Sequence, residues 1–326
     1  MKKAVIFLTV AAVMLSVFSF AARAADAAKP KPAYLDPSKP IDDRVKDLIS
    51  RMTLMDKTLL LNNDAGAIPR LGIKEYHYWN EALHGIAFPG KFTVFPQAVA
   101  MASSWDPDMI FKVSTAISDE AWGAINRDAV KDGYPGRRFL TFWSPTINMA
   151  RDPRWGRTPE TYGEDPFLTG RLALSFVRGI QGNDPKYLKA VSTPKHFAAN
   201  NVEKNRVKYN AVISEKSLRE YYFPAFKTCV VEGGAMSVMG AYNAVNGIPC
   251  NANKWLLTDV LRNEWGFKGF VVTDCGAAEH MYKQHKYVAT APEAAAAALK
   301  AGVDVECGAE VMRMYSIEAI KKKLIT

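Results

Sequence analysis

Between residues 106 and 306, helix-start signals alternate with short apolar runs, and this alternation narrows the fold more than any other feature of the chain. Asp106-Pro107-Asp108 supplies an N-cap, a proline at the first helical position and a carboxylate in the first turn, and Ile110, Val113, Ile117 and Ala121 continue one apolar face. Ser214 caps a second helix through Leu218, Tyr221 and Tyr222, which Pro224 restarts and Gly233-Gly234 stops. Residues 255–265 read as a further helix, and 293–300 as an alanine-rich one stopped by Gly302. The strand candidates are 139–143, Val191-Ser192-Thr193, 235–242, Phe270-Val271-Val272 and Val303-Asp304-Val305. Strands and helices take turns in this way when parallel strands are joined by crossovers. The number of units, and the roughly 300 residues that follow the N-terminal segment, favour the α/β class and a (β/α)8 barrel of the TIM type. An open doubly wound sheet is the runner-up.

The run Phe270-Val271-Val272, bounded by Gly269 and Gly276, has the continuous apolar character of a strand buried on both faces. A carboxylate where such a strand ends stands on the rim where barrel chemistry is built, which makes Asp274 a candidate catalytic residue. The plainer reading is that Asp274 caps the turn that follows. Lys195 with His196, Asn243 and Glu306 end other strand candidates in polar groups, so one rim is expected to carry a polar ring.

Lys2 and Lys3 precede an apolar run from Ala4 to Phe20, and Ala22-Arg23-Ala24 follows with small residues at alternate positions. Residues 1–24 therefore read as a secretory signal peptide, with a retained membrane anchor as the alternative, since the run is near the lower limit for crossing a bilayer. Residues 25–40 read as an exposed linker, and the folded part, 41–326, begins near Ile41. The net charge is +9, and its Lys and Arg residues are scattered apart from Lys321-Lys322-Lys323, so nucleic acid is not an expected partner. Cys229, Cys250, Cys275 and Cys307 match no zinc spacing; they read as small core residues, with room for one bridge of undetermined pairing in an exported protein. His77, His84, His196, His280 and His285 do not pair at metal-ligand spacing, His280 with His285 coming nearest. No phosphate loop or internal repeat is present, so neither metal nor cofactor is expected.

Taken in order, Trp79-Asn80-Glu81-Ala82-Leu83-His84-Gly85, Phe95-Pro96, Arg151-Asp152-Pro153-Arg154-Trp155-Gly156-Arg157, Glu160-Thr161-Tyr162-Gly163-Glu164-Asp165-Pro166, Lys195-His196-Phe197, Tyr242-Asn243 and Val272-Thr273-Asp274 closely resemble glycoside hydrolase family 3. The resemblance covers nearly all of the chain beyond the N-terminal segment. It implies a barrel that binds a terminal sugar, with Asp274 as the nucleophile of a retaining mechanism kept ionised by cations such as Arg157 or Lys195. It also implies that Arg157, Lys195 and His196 bond sugar hydroxyls, and that Met239 and Tyr242 form a wall beside the nucleophile, the phenol bonding the aspartate. Arg151 and Arg154 read instead as members of a salt-bridge network with Glu160 and Glu164.

Glu81 stands where relatives that cut glucose usually carry Asp, and the motif around it resembles the xylosidase and arabinosidase branch. Its extra methylene pushes a carboxylate toward the space of the glucose hydroxymethyl group, which favours xylose without firmly excluding glucose. The same resemblance implies that the general acid/base Glu comes from a second α/β domain, which the sequence up to Thr326 does not include. Glu203, in the loop after Lys195-His196-Phe197, is the candidate substitute. Two readings follow: an exported exo-acting β-glycosidase that trims xylo-oligosaccharides, with a β-glucosidase as its variant, or a sugar-binding barrel without useful turnover. In either case the expected partner is an oligosaccharide.

Overall fold

The computed structural model describes residues 31–87, 90–132 and 140–326. The expected signal peptide, the first part of the linker and Phe139 lie outside the described residues. The chain divides into two compact units, up to Thr53 and from Leu54 onward. In the first, the helix Ile41–Arg51 carries Asp42 and Asp43 in its first turn and Arg51 in its last, matching the helix dipole at both ends. Asp47 pairs with Arg51 at 2.8 Å and accepts the Tyr34 N–H at 3.0 Å. The segment read as an exposed linker is thus partly ordered: Ala33–Leu35 form a 3-10 turn with Tyr34 buried.

The second unit is built from short strands: β1 (Asp64–Ala65), β2 (Tyr76–His77), β3 (Thr141–Phe142), β4 (Val191–Ser192), β5 (Lys195–Phe197), β6 (Asn210–Ala211), β7 (Ser237–Gly240), β8 (Ala244–Val245), β9 (Ile248–Pro249) and β10 (Phe270–Thr273). β10, β7 and β5 lie side by side in parallel, β3 pairs in parallel with β4, and β6-β8-β9 and β1-β2 form two further sheets. Single parallel bridges join Thr146 to Lys195, Val272 to Val305 and Asn62 to Glu306. The parallel α/β character expected from the alternation is present, but the described strands fall into four small sheets and not one continuous eight-stranded sheet. Pro145 and Pro194, which have no N–H to donate, interrupt the ladders, and the β5–β7 register shifts between Lys195 and Phe197. The segment 303–305, read as a strand, contributes only the Val305 bridge.

The helices follow their sequence signals closely. Asp106 Oδ1 accepts the N–H groups of Asp108 and Met109 at the start of Pro107–Asp132, and the Ser214 hydroxyl accepts the Ser217 N–H. A capping box of Thr290 and Glu293 opens Ala291–Ala301, which Gly302 ends. Pro107–Asp132 packs on Pro166–Gln181, where a Cβ on Gly179 would come within 2.0 Å of the Ser114 hydroxyl, so only glycine allows this approach.

The strands divide the core in two. Val238 and Val271 face a large cluster of helix side chains with Phe142, Phe176, Phe197 and Phe226. Their neighbours Met239 and Val272 point the other way, into a small cluster with Trp143, Val305 and Cys307. β7 and β10 are buried along their length on both faces apart from the partly exposed Phe270, as the apolar run at 270–272 implies. Cys275 and Cys307 form a disulfide, which corrects their reading as plain core residues, while Cys229 and Cys250 are buried free thiols.

Candidate active site

Asp274 follows the last residue of β10. Its N–H donates to the Gly240 carbonyl at 3.0 Å, and its carbonyl accepts the Ala277 N–H at 3.0 Å where the helix Ala277–Lys283 begins. The main chain therefore does the work of the turn and leaves the side chain for another role. Oδ1 accepts the Cys275 N–H at 2.8 Å; Oδ2 is buried without a hydrogen-bond partner, 3.7 Å from His196 Nε2.

β5 brings two further groups to the same place. Lys195, 4% exposed, donates to both oxygens of Glu81 at 2.9 Å, tying the loop after β2 to a central strand. His196 is buried; Asn148 Oδ1 lies 3.0 Å from its Nδ1, and Arg157 Nη1 lies 3.2 Å from its Nε2. The peptides Lys195–His196 and Phe197–Ala198 are both cis. Arg157 is held by Glu160 through a two-pronged pair, Nε to Oε1 at 2.8 Å and Nη2 to Oε2 at 2.7 Å. The 3-10 turn Thr158–Glu160 sets that spacing. The network expected among Arg151, Arg154, Glu160 and Glu164 is replaced by separate contacts: Glu160 serves Arg157, Arg154 pairs with Asp152, and Arg151 donates to the Tyr222 hydroxyl.

The Tyr242 hydroxyl donates to the Cys275 carbonyl at 2.7 Å, bracing the turn at Asp274 from its backbone, and it also interacts with the Asp274 carboxylate; burial and that carboxylate together raise the phenol above its ordinary range. Met239 is 1% exposed in the small interior cluster and forms packed support here, not an open wall. Arg206, which carries no sequence signal, lies over the Tyr242 ring, 4.7 Å from its centroid, and pairs with Glu203 at 3.1 Å. Glu203 also accepts the Trp155 Nε1–H at 3.4 Å. Of the polar ring expected on the rim, Lys195, His196 and Asp274 converge. Asn243 instead donates to the Ala198 carbonyl, and Glu306 accepts the Met312 N–H at the start of Val311–Lys321.

Burial raises the Asp274 carboxyl above its ordinary range, against the Cys275 N–H and the charges of Lys195, Arg157 and Arg206, so the expectation that those cations dominate is corrected. Burial pushes the His196 ring well below its usual value, and Arg157, Lys195 and Arg206 push it further. A neutral ring makes its approach to Asp274 a dipolar contact and not an ion pair. Glu81 is also raised by burial, with the Lys195 charge acting against it. The result is a largely buried cluster in which one carboxylate oxygen has no hydrogen-bond partner while cationic and neutral donors stand around it, a set suited to a molecule dense in hydroxyls.

Fold and site together define an α/β domain with a carboxylate centre at the carboxy-terminal ends of its parallel strands. The chain belongs to glycosyl hydrolase family 3: residues 77–325 match the model of the Glycosyl hydrolase family 3 N terminal domain. It is 40% identical to Beta-D-xylosidase 1 of Arabidopsis thaliana over 303 residues, 88% of this chain and 38% of that protein. Among solved structures, a GH3 exo-β-xylosidase in complex with a xylobiose aziridine activity-based probe is 33% identical with a TM-score of 0.82, over 90% of this chain and 39% of that one. The GH3 β-glucosidase of Bifidobacterium adolescentis is 31% identical with a TM-score of 0.70, over 85% and 37%. The chain thus spans well under half the length of the relatives it matches.

Proposed function

We propose that this chain is the sugar-binding, nucleophile-bearing part of an exported, exo-acting retaining β-glycosidase that removes terminal non-reducing β-D-xylosyl residues from xylo-oligosaccharides. The observation that carries the reading is Asp274: a buried carboxylate on a strand end, with Oδ1 held by a backbone N–H and Oδ2 left free. In this mechanism Oδ2 attacks the anomeric carbon, the glycosidic C–O bond breaks, and the leaving oxygen departs with a proton from an acid or, for an activated aryl group, as the phenolate. The acid carboxyl is not assigned to this chain, since Glu203 is engaged by Arg206 and Trp155. Arg157, Lys195 and His196 bond sugar hydroxyls, Tyr242 and Met239 support the nucleophile turn, and Glu81 limits the room beyond the sugar ring. The xylosidase relatives support xylose; the similarity to a β-glucosidase structure keeps glucose as the second reading.

In the same reading the parallel segments are the staves of a (β/α)8 barrel occupying residues 41–326, after a signal peptide at 1–24 and a linker at 25–40. Support comes from a succession of hydrogen bonds that returns to its start: Asn63 to Glu306, Tyr78 to Asn63, Trp143 to Asn80, Val191 to Leu140, then β5, β7, β10 and Val305. The Cys275–Cys307 disulfide supports an oxidising, exported location, and among the described residues no helix is long and apolar enough to cross a membrane.

The test is covalent labelling with a 2-fluoro xyloside bearing an activated leaving group, read by intact mass and peptide mapping. A single adduct on Asp274, absent in Asp274→Asn, is the expected result, because a neutral amide cannot attack. Label on another residue overturns the assignment. Folded protein that binds xylose without taking label favours the binding-only reading.

A further inference from the structure

Asn148 is 3% exposed and gives its whole amide to one residue. Nδ2 donates to the His196 carbonyl at 2.9 Å, Oδ1 accepts the His196 backbone N–H at 2.9 Å, and the same Oδ1 lies 3.0 Å from ring Nδ1. The two backbone contacts fix which way the amide faces, since an N–H only donates and a carbonyl only accepts. The atom against Nδ1 is therefore an acceptor oxygen, and the ring proton must sit on Nδ1. In a neutral ring Nε2 then carries no proton and faces Arg157 Nη1 at 3.2 Å, which donates to it, and Asp274 Oδ2 at 3.7 Å.

We propose that Asn148 is a positioning residue that fixes His196 as the Nδ1-protonated tautomer, so that Nε2 is an acceptor, of the Arg157 N–H in the free site and of a sugar hydroxyl only where that hydroxyl takes the place of Arg157, and never donates to Asp274. A free histidine side chain favours the opposite tautomer, with the proton on Nε2. Without Asn148 an N–H would point at Oδ2, hold the carboxylate by a charge-assisted bond and weaken its attack. It would also set two donors, Nε2–H and Arg157, against each other. With Asn148 present a sugar hydroxyl that reaches Nε2 must donate and must replace the Arg157 N–H there, while hydroxyls that face the freed Arg157 and Lys195 accept, so the site reads hydroxyl orientation as well as position.

The inference rests on Asp274 being the nucleophile, and its test separates the two. Long-range nitrogen–proton NMR of 15N-histidine-labelled protein, with the His196 signals assigned by loss in His196→Gln, reports which ring nitrogen carries the proton at a pH where the ring is neutral. Wild type is expected to show Nδ1–H, and Nε2–H in wild type overturns the proposal without any variant. Asn148→Ala should move the proton toward Nε2 and slow labelling of Asp274 by about tenfold, the worth of one hydrogen bond made or misplaced. Asn148→Asp keeps an acceptor against Nδ1 and should restore the wild-type tautomer. An alanine variant that folds and keeps Nδ1–H, or that changes tautomer with labelling unchanged, overturns the proposal. Should wild type show Nδ1–H, and Asn148→Ala shift it, while no label reaches Asp274 at all, the control of the ring by Asn148 is upheld and the nucleophile reading is what fails.

Discussion

Replacing Glu306 by glutamine should stabilise the chain, and only above a definite pH. Glu306 is fully buried, and burial raises its carboxyl from 4.5 to about 7, although the Met312 and Val311 N–H groups favour the anion and Glu310 and Glu279 oppose it. The sign follows from proton binding. Below the unfolded value both states hold the proton, so the wild type carries no penalty and the glutamine variant gains nothing. Between 4.5 and about 7 the unfolded chain has released its proton while the folded chain keeps it, so folding stability falls as pH rises through that window. The loss is about 1.4 kcal/mol per pH unit and reaches about 3 kcal/mol once the folded carboxyl has also ionised. Glutamine keeps the acceptor for the Met312 N–H and never ionises, so the variant escapes this loss. Urea unfolding of both proteins at about pH 4 and about pH 8 reads the difference directly, since other titrating groups cancel in the comparison. Equal stability at the acid end and an advantage of about 3 kcal/mol for Glu306→Gln at the alkaline end is the expected pattern. Parallel curves, or a variant that is weaker at alkaline pH, would refute the reasoning and show that the helix start holds the anion more strongly than burial expels it.

Three other outcomes follow from the site and its supports. Arg206→Gln removes one of the charges that lower the Asp274 carboxyl, so the acid limb of the labelling rate, which falls as Asp274 takes up its proton, should move to higher pH. An unmoved limb would remove Arg206 from the electrostatics. Gly269→Ala would bring a Cβ within 2.1 Å of the Met236 carbonyl oxygen, where β10 starts beside β7, and should cost about 3 kcal/mol, read as a lower urea midpoint at unchanged slope. Glu81→Asp, measured on enzyme competent for turnover, should move the ratio of aryl xyloside to aryl glucoside specificity constants toward glucoside by about tenfold.

The sequence announces what is local. Asp106 and Ser214 are caps whose signal and effect lie within four residues of one another, and the structure uses both as read; the Thr290 to Glu293 box is equally local. The convergence of Lys195, His196 and Asp274 is legible because the runs that lead into them form neighbouring parallel segments, although Lys195 and His196 open β5 and only Asp274 follows the end of its strand. What stayed hidden depends on partners distant in the chain. Nothing around Cys275 names Cys307, and nothing around Lys195 specifies that its ammonium is held by Glu81. Arg206 is one of several charges, with Glu203, Lys204 and Lys208, in a loop without periodicity, and its seat over Tyr242 exists only once the chain has folded. Asn243 and Glu306 end strands as Asp274 does, yet one bonds a neighbouring backbone and the other a helix start. Position on a rim does not distinguish a group that faces a pocket from one that faces the wall.

Cys275 touches Asp274 through its amide and Tyr242 through its carbonyl, while its sulfur reaches Cys307. Both contacts to the site belong to atoms that every residue except proline possesses. Codon changes at position 275 can therefore exchange the covalent tether for another side chain while the bonds that orient the carboxylate persist. The immediate bonding of Asp274 is insulated from drift at the position next to it, which leaves position 275 free to be tuned by selection for the oxidation state of the surroundings, independently of the chemistry one residue away.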